Sequence, residues 1–318
     1  MTQAPTEVGL PVIGAGASRP GRLGTFARQR RRIFWPFLAP ALLVYGALLL
    51  VPLVWSAWLS LNRWRGLDTP SFRGLGNYQQ LLSDDDFLIS FRNTFIITIG
   101  VGLATFAASF AVTLVLREMA GRRFIRAALF FPNIVAPIVL SILWGFLFRS
   151  DGLVNVAFGG VGIKGPNWLG ESGLFPMVCV ALVWINTGFY TTIFMAAVDN
   201  IPAYFYEDAA LAGATAWQRF RYVTLPLSWD VVSVAALLWT ISSVKIFEFI
   251  YTFAGASGYL PPPATWNSAL FVYSQTFGGR TAVYQFGYAC AAAIATLVPV
   301  AVLVLLLRRV LRRDPVTF

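Results

Sequence analysis

The sequence contains no histidine and only two cysteines in 318 residues. Without imidazoles, and with Cys179 and Cys290 both inside apolar runs, no metal cluster of the usual imidazole or thiolate kind is expected, nor any disulfide framework. The two thiols read as small buried hydrophobes. Charge is scarce too: 12% of residues are charged and 57% hydrophobic, whereas a soluble domain carries about 25% charged residues. That shortage excludes an ordinary soluble protein and makes the chain an integral membrane protein. Its basic excess of +10 does not point to nucleic acid, because the arginines stand at the ends of apolar runs and form no stripe on a soluble face. Also missing is Gly-x-x-x-x-Gly-Lys-Ser/Thr. The nearest stretch, Gly160-Val161-Gly162-Ile163-Lys164-Gly165, lacks the spacing and the hydroxyl, so the chain has no ATP site of that kind. Scattered carboxylates without histidine offer no nucleophile, acid/base or metal constellation, and no catalytic residue is assigned.

What is present is long apolar sequence. Runs of about 20 apolar residues predict an all-α protein with six transmembrane helices, near 34–60, 94–116, 125–148, 174–198, 230–253 and 285–307. If these alternate, the arginines of the N-terminal segment, Arg117, Arg122, Arg123, Arg126, Arg219, Arg221, Arg308, Arg309, Arg312 and Arg313 share one side. The positive-inside rule makes that side cytoplasmic, with both termini on it. Residues 1–33, rich in Gly, Ala, Pro and Arg, read as a disordered basic cytoplasmic tail. Residues 34–313 form the six-helix domain and 314–318 a short C-terminal tail. The first apolar run exceeds the 7 to 15 residues, roughly, of a cleavable signal and is taken as a permanent helix.

Between the fourth and fifth runs lies a polar-faced hairpin, 199–228. Pro202 suits a first helical position, and Glu207, Asp208 and the alanines carry the helix to Gly213. Thr215 can cap a second helix. Tyr206, Ala210 and Gly213, at i, i+4 and i+7, make one face nearly flat, as a helix lying in another protein's groove requires. Here the residues carry a resemblance. Glu207, Ala209, Gly213 and Leu225-Pro226 resemble the "EAA" signature of the membrane subunits of ATP-driven importers, and Trp217-Gln218-Arg219-Phe220 and Thr224-Leu225-Pro226-Leu227 resemble its carbohydrate branch, typified by maltose and glycerol-phosphate systems. Asp208 stands where the signature has its first alanine, and Ala212 where sugar-type members often have Asp. The segments Phe72-Arg73-Gly74-Leu75-Gly76-Asn77-Tyr78, Asp86-Phe87 and Arg92-Asn93-Thr94 extend the likeness, which runs from Trp35 to Arg313.

The resemblance implies the permease fold of a type I ABC importer in a bacterial cell membrane. It further implies a second permease subunit, two ATPase subunits that use ATP and Mg, and an extracellular solute-binding protein, with no cofactor bound by this chain. On the same ground Tyr206, Glu207, Asp208, Ala209, Ala210, Gly213 and Ala214 are the ATPase-coupling residues.

For the substrate path, Lys245 and Glu248 stand within the fifth run, where a lone charge costs about 2.5 to 3.5 kcal/mol on insertion scales. At i, i+3 they can pair with each other, line a polar path, or both. Lys245, Glu248 and Tyr251 also resemble the carbohydrate branch in their spacing. In the fourth run Trp184, Asn186 and Tyr190 combine an amide with aromatic faces, which sugars want, though each also suits helix packing. The Pro/Gly-rich loop 255–267 is expected to be non-helical and to expose Tyr259 and Trp266. The runner-up readings are an ATP-driven importer of a polyamine or organophosphate and, further off, a secondary transporter, for which Glu248 is the one deep acid.

Overall fold

The computed structural model describes residues 23–117, 119, 121–254, 259–278 and 283–311. Most of the expected N-terminal arm, the C-terminal tail 314–318, Arg312, Arg313, Arg280 and the loop residues 255–258 lie outside them. Two compact units are distinguished, one ending at Trp55 and one beginning at Ser56. The expectation of disorder up to residue 33 is corrected in part, because a helix already runs over Leu23–Tyr45. Arg28, Arg30, Arg31 and Arg32 are good helix formers that extend the apolar helix behind them.

Among the described residues five helical segments are long and apolar enough to cross a membrane: Phe34–Leu59, Asp85–Arg117, Pro137–Gly160, Leu174–Asp199 and Phe286–Leu311. A sixth arises if Ala216–Leu227 and Trp229–Ser243, bent by 75°, count as one span. The fourth and sixth predicted spans match to within a few residues. The second is longer than predicted, because the Asp84 carboxylate caps its start by accepting from Phe87 N at 3.0 Å.

The third predicted span, 125–148, is corrected. The chain forms an amphipathic helix Arg122–Ile134, breaks at Val135 and Ala136, and restarts at Pro137–Phe148. Pro137 forces the break, since the residue before a proline is pushed out of helical geometry and proline itself suits a first helical position. The fifth span is also interrupted, between Trp229–Ser243 and Glu248–Ala254. A short helix at Ser268–Thr276 was not expected, and Asn267 caps it by accepting from Leu270 N at 3.1 Å.

Packing in the larger unit follows small residues. The Leu174–Asp199 helix lies against Gly102–Arg117 and Arg122–Ile134, and Phe286–Leu311 against Trp229–Ser243 and Ser268–Thr276. At Gly188 a Cβ would overlap the Leu129 carbonyl, so glycine sets how closely Arg122–Ile134 approaches. At Gly102 a Cβ would overlap the Trp239 indole. That indole donates to Thr98 O at 2.7 Å, inside a π-helical turn, Ile96–Val101, whose loosened ladder leaves a carbonyl to be satisfied from outside.

Gly188→Leu is expected to misfold, because the overlapped atoms are backbone, whereas Gly145→Ala, where nothing lies within 4 Å of the new Cβ, should stay within about 0.5 kcal/mol of wild type. Thermal unfolding of the purified protein in detergent checks both.

Candidate functional site

Two places combine exposed polar chemistry with defined geometry: the hairpin after the fourth span, and a cavity half way along that span. The hairpin helix Tyr204–Leu211 starts two residues beyond the expected Pro202. It is closed by a Schellman motif in which Ala214 N donates to Ala209 O and Gly213 N to Ala210 O, both at 2.9 Å. Gly213 takes φ +76°, the left-handed geometry that the motif requires. A capping box follows: Gln218 N donates to the Thr215 hydroxyl and Thr215 N to the Gln218 carboxamide. A π-helical turn, Phe220–Thr224, then leads through Leu225–Leu227 into the fifth span.

Glu207, Asp208, Ala210 and Gly213 are exposed, Ala209 and Ala214 half-buried. Leu211 is 88% and Trp217 67% exposed. The flat face expected to include Tyr206 is corrected, since Tyr206 is buried and turns inward. Its ring lies 3.5 Å under the Arg117 guanidinium, and its hydroxyl shares a 3.1 Å hydrogen bond with Thr224. Tyr206 thus pins the hairpin to the end of the second span beside a cavity of about 200 Å³ lined by Arg117, Trp217, Arg219 and Phe220. An exposed ion pair, Arg122–Asp199 at 3.2 Å, sits at the base.

The second cavity, about 340 Å³, is lined by both helix breaks. Asn133, Val135 and Pro137 come from the first break, Lys245, Ile246, Phe247 and Glu248 from the second, and Leu182, Ile185, Asn186, Trp239 and Ser242 from the flanking helices. Non-helical backbone at membrane depth is tolerated where it lines such a cavity. Lys245 and Glu248 do share the wall, and of the alternatives open to them mutual pairing is not the one adopted. Among the described residues the ion pairs are Arg122–Asp199 and Arg149–Asp151, because the helix that would set Lys245 and Glu248 at i, i+3 is broken between them.

Of the other path residues only Asn186 lines the cavity, its amide donating to Leu182 O at 2.7 Å. Trp184 packs on Trp144 at 5.7 Å, and Tyr190 is buried among Phe106, Phe194 and Trp239. Neither lines the cavity, in keeping with the packing role each also suited, and Trp184 remains 46% exposed. Tyr251 lies one step outside, stacked on the cavity residue Phe247 at 5.3 Å and edge-on to Tyr273 at 5.4 Å. In the loop, Tyr259 is exposed but Trp266 is buried, donating to Pro261 O at 2.7 Å.

Sequence reasoning missed what holds the second break. The fully buried Asn267 donates to the Ile246 carbonyl while capping the Ser268–Thr276 helix. The loop carrying it is bound in turn by Asn93, whose amide donates to Ala264 O at 2.8 Å and Trp266 O at 2.9 Å. Thr94 adds bonds to Ser268, accepting from its N at 2.8 Å. The Arg92-Asn93-Thr94 pattern was the one visible signal of this buttress.

Residues 86–314 match the family described as "Binding-protein-dependent transport system inner membrane component". The chain is 28% identical over 306 residues to the diacetylchitobiose uptake system permease protein of Streptomyces coelicolor, covering 89% of this chain and 85% of that one. It is 32% identical over 253 residues to the trehalose/maltose transport system permease protein of Thermococcus litoralis (77% and 84%). To the alpha-glucoside transport system permease protein of Rhizobium meliloti it is 33% identical over 252 residues (75% and 71%). A similar fold is found in the crystal structure of a bacterial ABC transporter involved in importing the acidic polysaccharide alginate, with TM-score 0.74, 21% identity and coverage of 92% and 99%.

Asn267→Ala is expected to lower stability by about 2 kcal/mol, since it strips a cap and leaves a buried carbonyl unpaired. Detergent unfolding should show this, and Asn267→Asp, which keeps the cap acceptor but not the donor, should not restore it.

Proposed function

The chain belongs to the family of binding-protein-dependent transport system inner membrane components, and on that premise we propose that it forms, with a second permease subunit, the path of an ATP-driven sugar importer. The observation that carries the reading is connectivity. The hairpin is the covalent link between the Leu174–Asp199 and Trp229–Ser243 helices, and both helices line the cavity at the two breaks. A displacement of the hairpin therefore acts on two walls of that cavity at once.

In this reading two separate ATPase subunits bind ATP and Mg and grip the exposed face of Glu207, Asp208, Ala210, Leu211 and Gly213. Glu207, in the first turn of its helix, adds negative charge where the helix dipole favours it, and with Asp208 orients the hairpin in a basic or amide-lined cleft. Tyr206 acts from inside, transmitting the movement through Arg117 and Thr224. Tilting of the fourth and fifth spans then alternates access to the cavity. An extracellular solute-binding protein delivers the cargo. Both termini and the hairpin lie in the cytoplasm, as the arginine distribution favours.

Sugar is the cargo class that the cavity chemistry and the relatives' names together support. Lys245, Glu248, Asn186 and Ser242 offer donors and acceptors for hydroxyls, and Phe247, backed by Tyr251, offers an aromatic face for apolar C–H surface. With one basic residue, Lys245, and one acidic residue, Glu248, the lining carries no net formal charge, which suits an uncharged sugar better than a polyamine.

ATP-dependent uptake of a labelled sugar panel, in proteoliposomes holding the whole complex, tests the reading. Glu207→Lys should cut uptake at least about tenfold with normal insertion, and Lys245→Ala should change apparent affinity or selectivity by about tenfold, as loss of a charged hydrogen bond in a cavity does. Full uptake with Glu207→Lys, or uptake indifferent to ATP, would sink it.

A further inference from the structure

The cavity behind the hairpin holds chemistry that coupling to an ATPase does not use. Leu114 and Arg117 enter it from the last turn of the Gly102–Arg117 helix, and Trp217, Arg219 and Phe220 from the second half of the hairpin. Both charged groups in this lining are basic, and no carboxylate belongs to it. Nor does either arginine form an ion pair, since those among the described residues are Arg122–Asp199 and Arg149–Asp151.

Arg117 stacks on the Tyr206 ring, a contact that uses the guanidinium face and leaves the N–H donors at its edge. Arg219 Nε is buried with no hydrogen-bond partner. A buried donor left unpaired is costly, and in native structures it marks a partner that protein atoms do not supply. Two guanidinium groups lining one small cavity also repel each other. An anion between them removes both penalties.

Size and surroundings select the anion. Pockets that enclose a whole small molecule run from about 300 to 1,000 Å³, so about 200 Å³ suits a compact charged group whose remainder lies outside. Arg117 ends a helical segment of 33 residues, Asp85–Arg117, about 50 Å long at 1.5 Å per residue, against about 40 to 45 Å for a bilayer with its headgroup layers. Its last turn therefore stands at headgroup level. Trp217 and Tyr222, on either side of Arg219 in the chain, are both exposed, and such rings settle at that level. Leu114 and Phe220, the latter 5.5 Å from the Trp217 ring, give the cavity an apolar wall that an inorganic ion would not need.

We propose that this cavity binds the phosphate of an anionic phospholipid, held by Arg117 of the second span and Arg219 of the hairpin, with the acyl chains in the surrounding bilayer. The inference rests on the importer reading only in placing this end of the span at the cytoplasmic leaflet. Because the two arginines belong to different elements, the bound lipid ties the hairpin to the second span, beside the Arg117–Tyr206 stack.

The test is a titration of the complete complex in detergent with phosphatidylglycerol, read by native mass spectrometry. Arg219→Gln should weaken the tightest site at least about tenfold, as loss of a charged hydrogen bond does. Arg219→Lys, which keeps the charge without the guanidinium fork, should weaken it less. Arg221→Gln, at an exposed arginine outside the cavity, should change it less than about twofold. Absence of a tight site in wild type, or unchanged binding in Arg219→Gln, overturns the inference. Equal losses in Arg219→Gln and Arg221→Gln overturn it in favour of diffuse attraction between basic surface and lipid. Displacement by glycerol phosphate at the lipid's own concentration also overturns it, and makes a soluble phosphate compound the ligand. None of these outcomes touches the importer reading, which fails instead if the wild-type complex retains the lipid but takes up no sugar with ATP.

Discussion

Inside a bilayer no water is at hand for a backbone carbonyl that leaves its helix, and this constraint governs the molecule. The chain breaks its helices at Val135–Ala136 and again around Val244–Phe247, and each break frees backbone groups at membrane depth. The second is answered by Asn267, which meets the Ile246 carbonyl. Asn267 can do so only because Asn93 and Thr94 fix the loop that carries it. A chain of amides thus runs from the second span, through the loop before the last span, to the wall of the cavity. The carbonyl of Thr98, in a loosened turn of the second span, is answered likewise by Trp239, and Gly102 admits the ring.

How much of this was legible depends on what sequence can encode locally. The Leu174–Asp199 and Phe286–Leu311 spans were readable because each is an unbroken apolar run. The hairpin was readable because its caps are local: Gly213 closes one helix and Thr215 opens the next within three residues. The third span was misplaced because Val135-Ala136-Pro137 sits in an apolar run that composition cannot divide. Lys245 and Glu248 were recognised as path candidates, and the choice between pairing and lining a wall stayed open because it depended on whether tertiary contacts interrupt the helix between them. Trp184 and Tyr190 do not line the cavity, and sequence could not show it, since apolar helices with little amphipathic contrast do not reveal which side faces the interior. Tyr206 failed for the opposite reason: its spacing marked a face, and only the Arg117 guanidinium, 89 positions earlier in the chain, revealed that the ring points away from it.

The hairpin cavity and the cavity at the helix breaks are shaped by different kinds of local order. The first depends on caps and a stacked guanidinium, the second on helix breaks buttressed by buried amides. The cavity at the breaks draws its lining from five helices and the two breaks between them, so it is the one where small packing changes alter chemistry.

The self-contained closure of the hairpin has an evolutionary consequence. Its outward shape is set by the Schellman turn, the capping box and one buried tyrosine, and owes little to the helices that enclose the cargo. If the hairpin is the ATPase contact proposed above, substitutions that retune that fit can accumulate there without disturbing the cavity, and substitutions that retune the cavity leave the hairpin as it was. A lineage of such permeases can therefore change its cargo while keeping a shared motor, or change its motor while keeping its cargo.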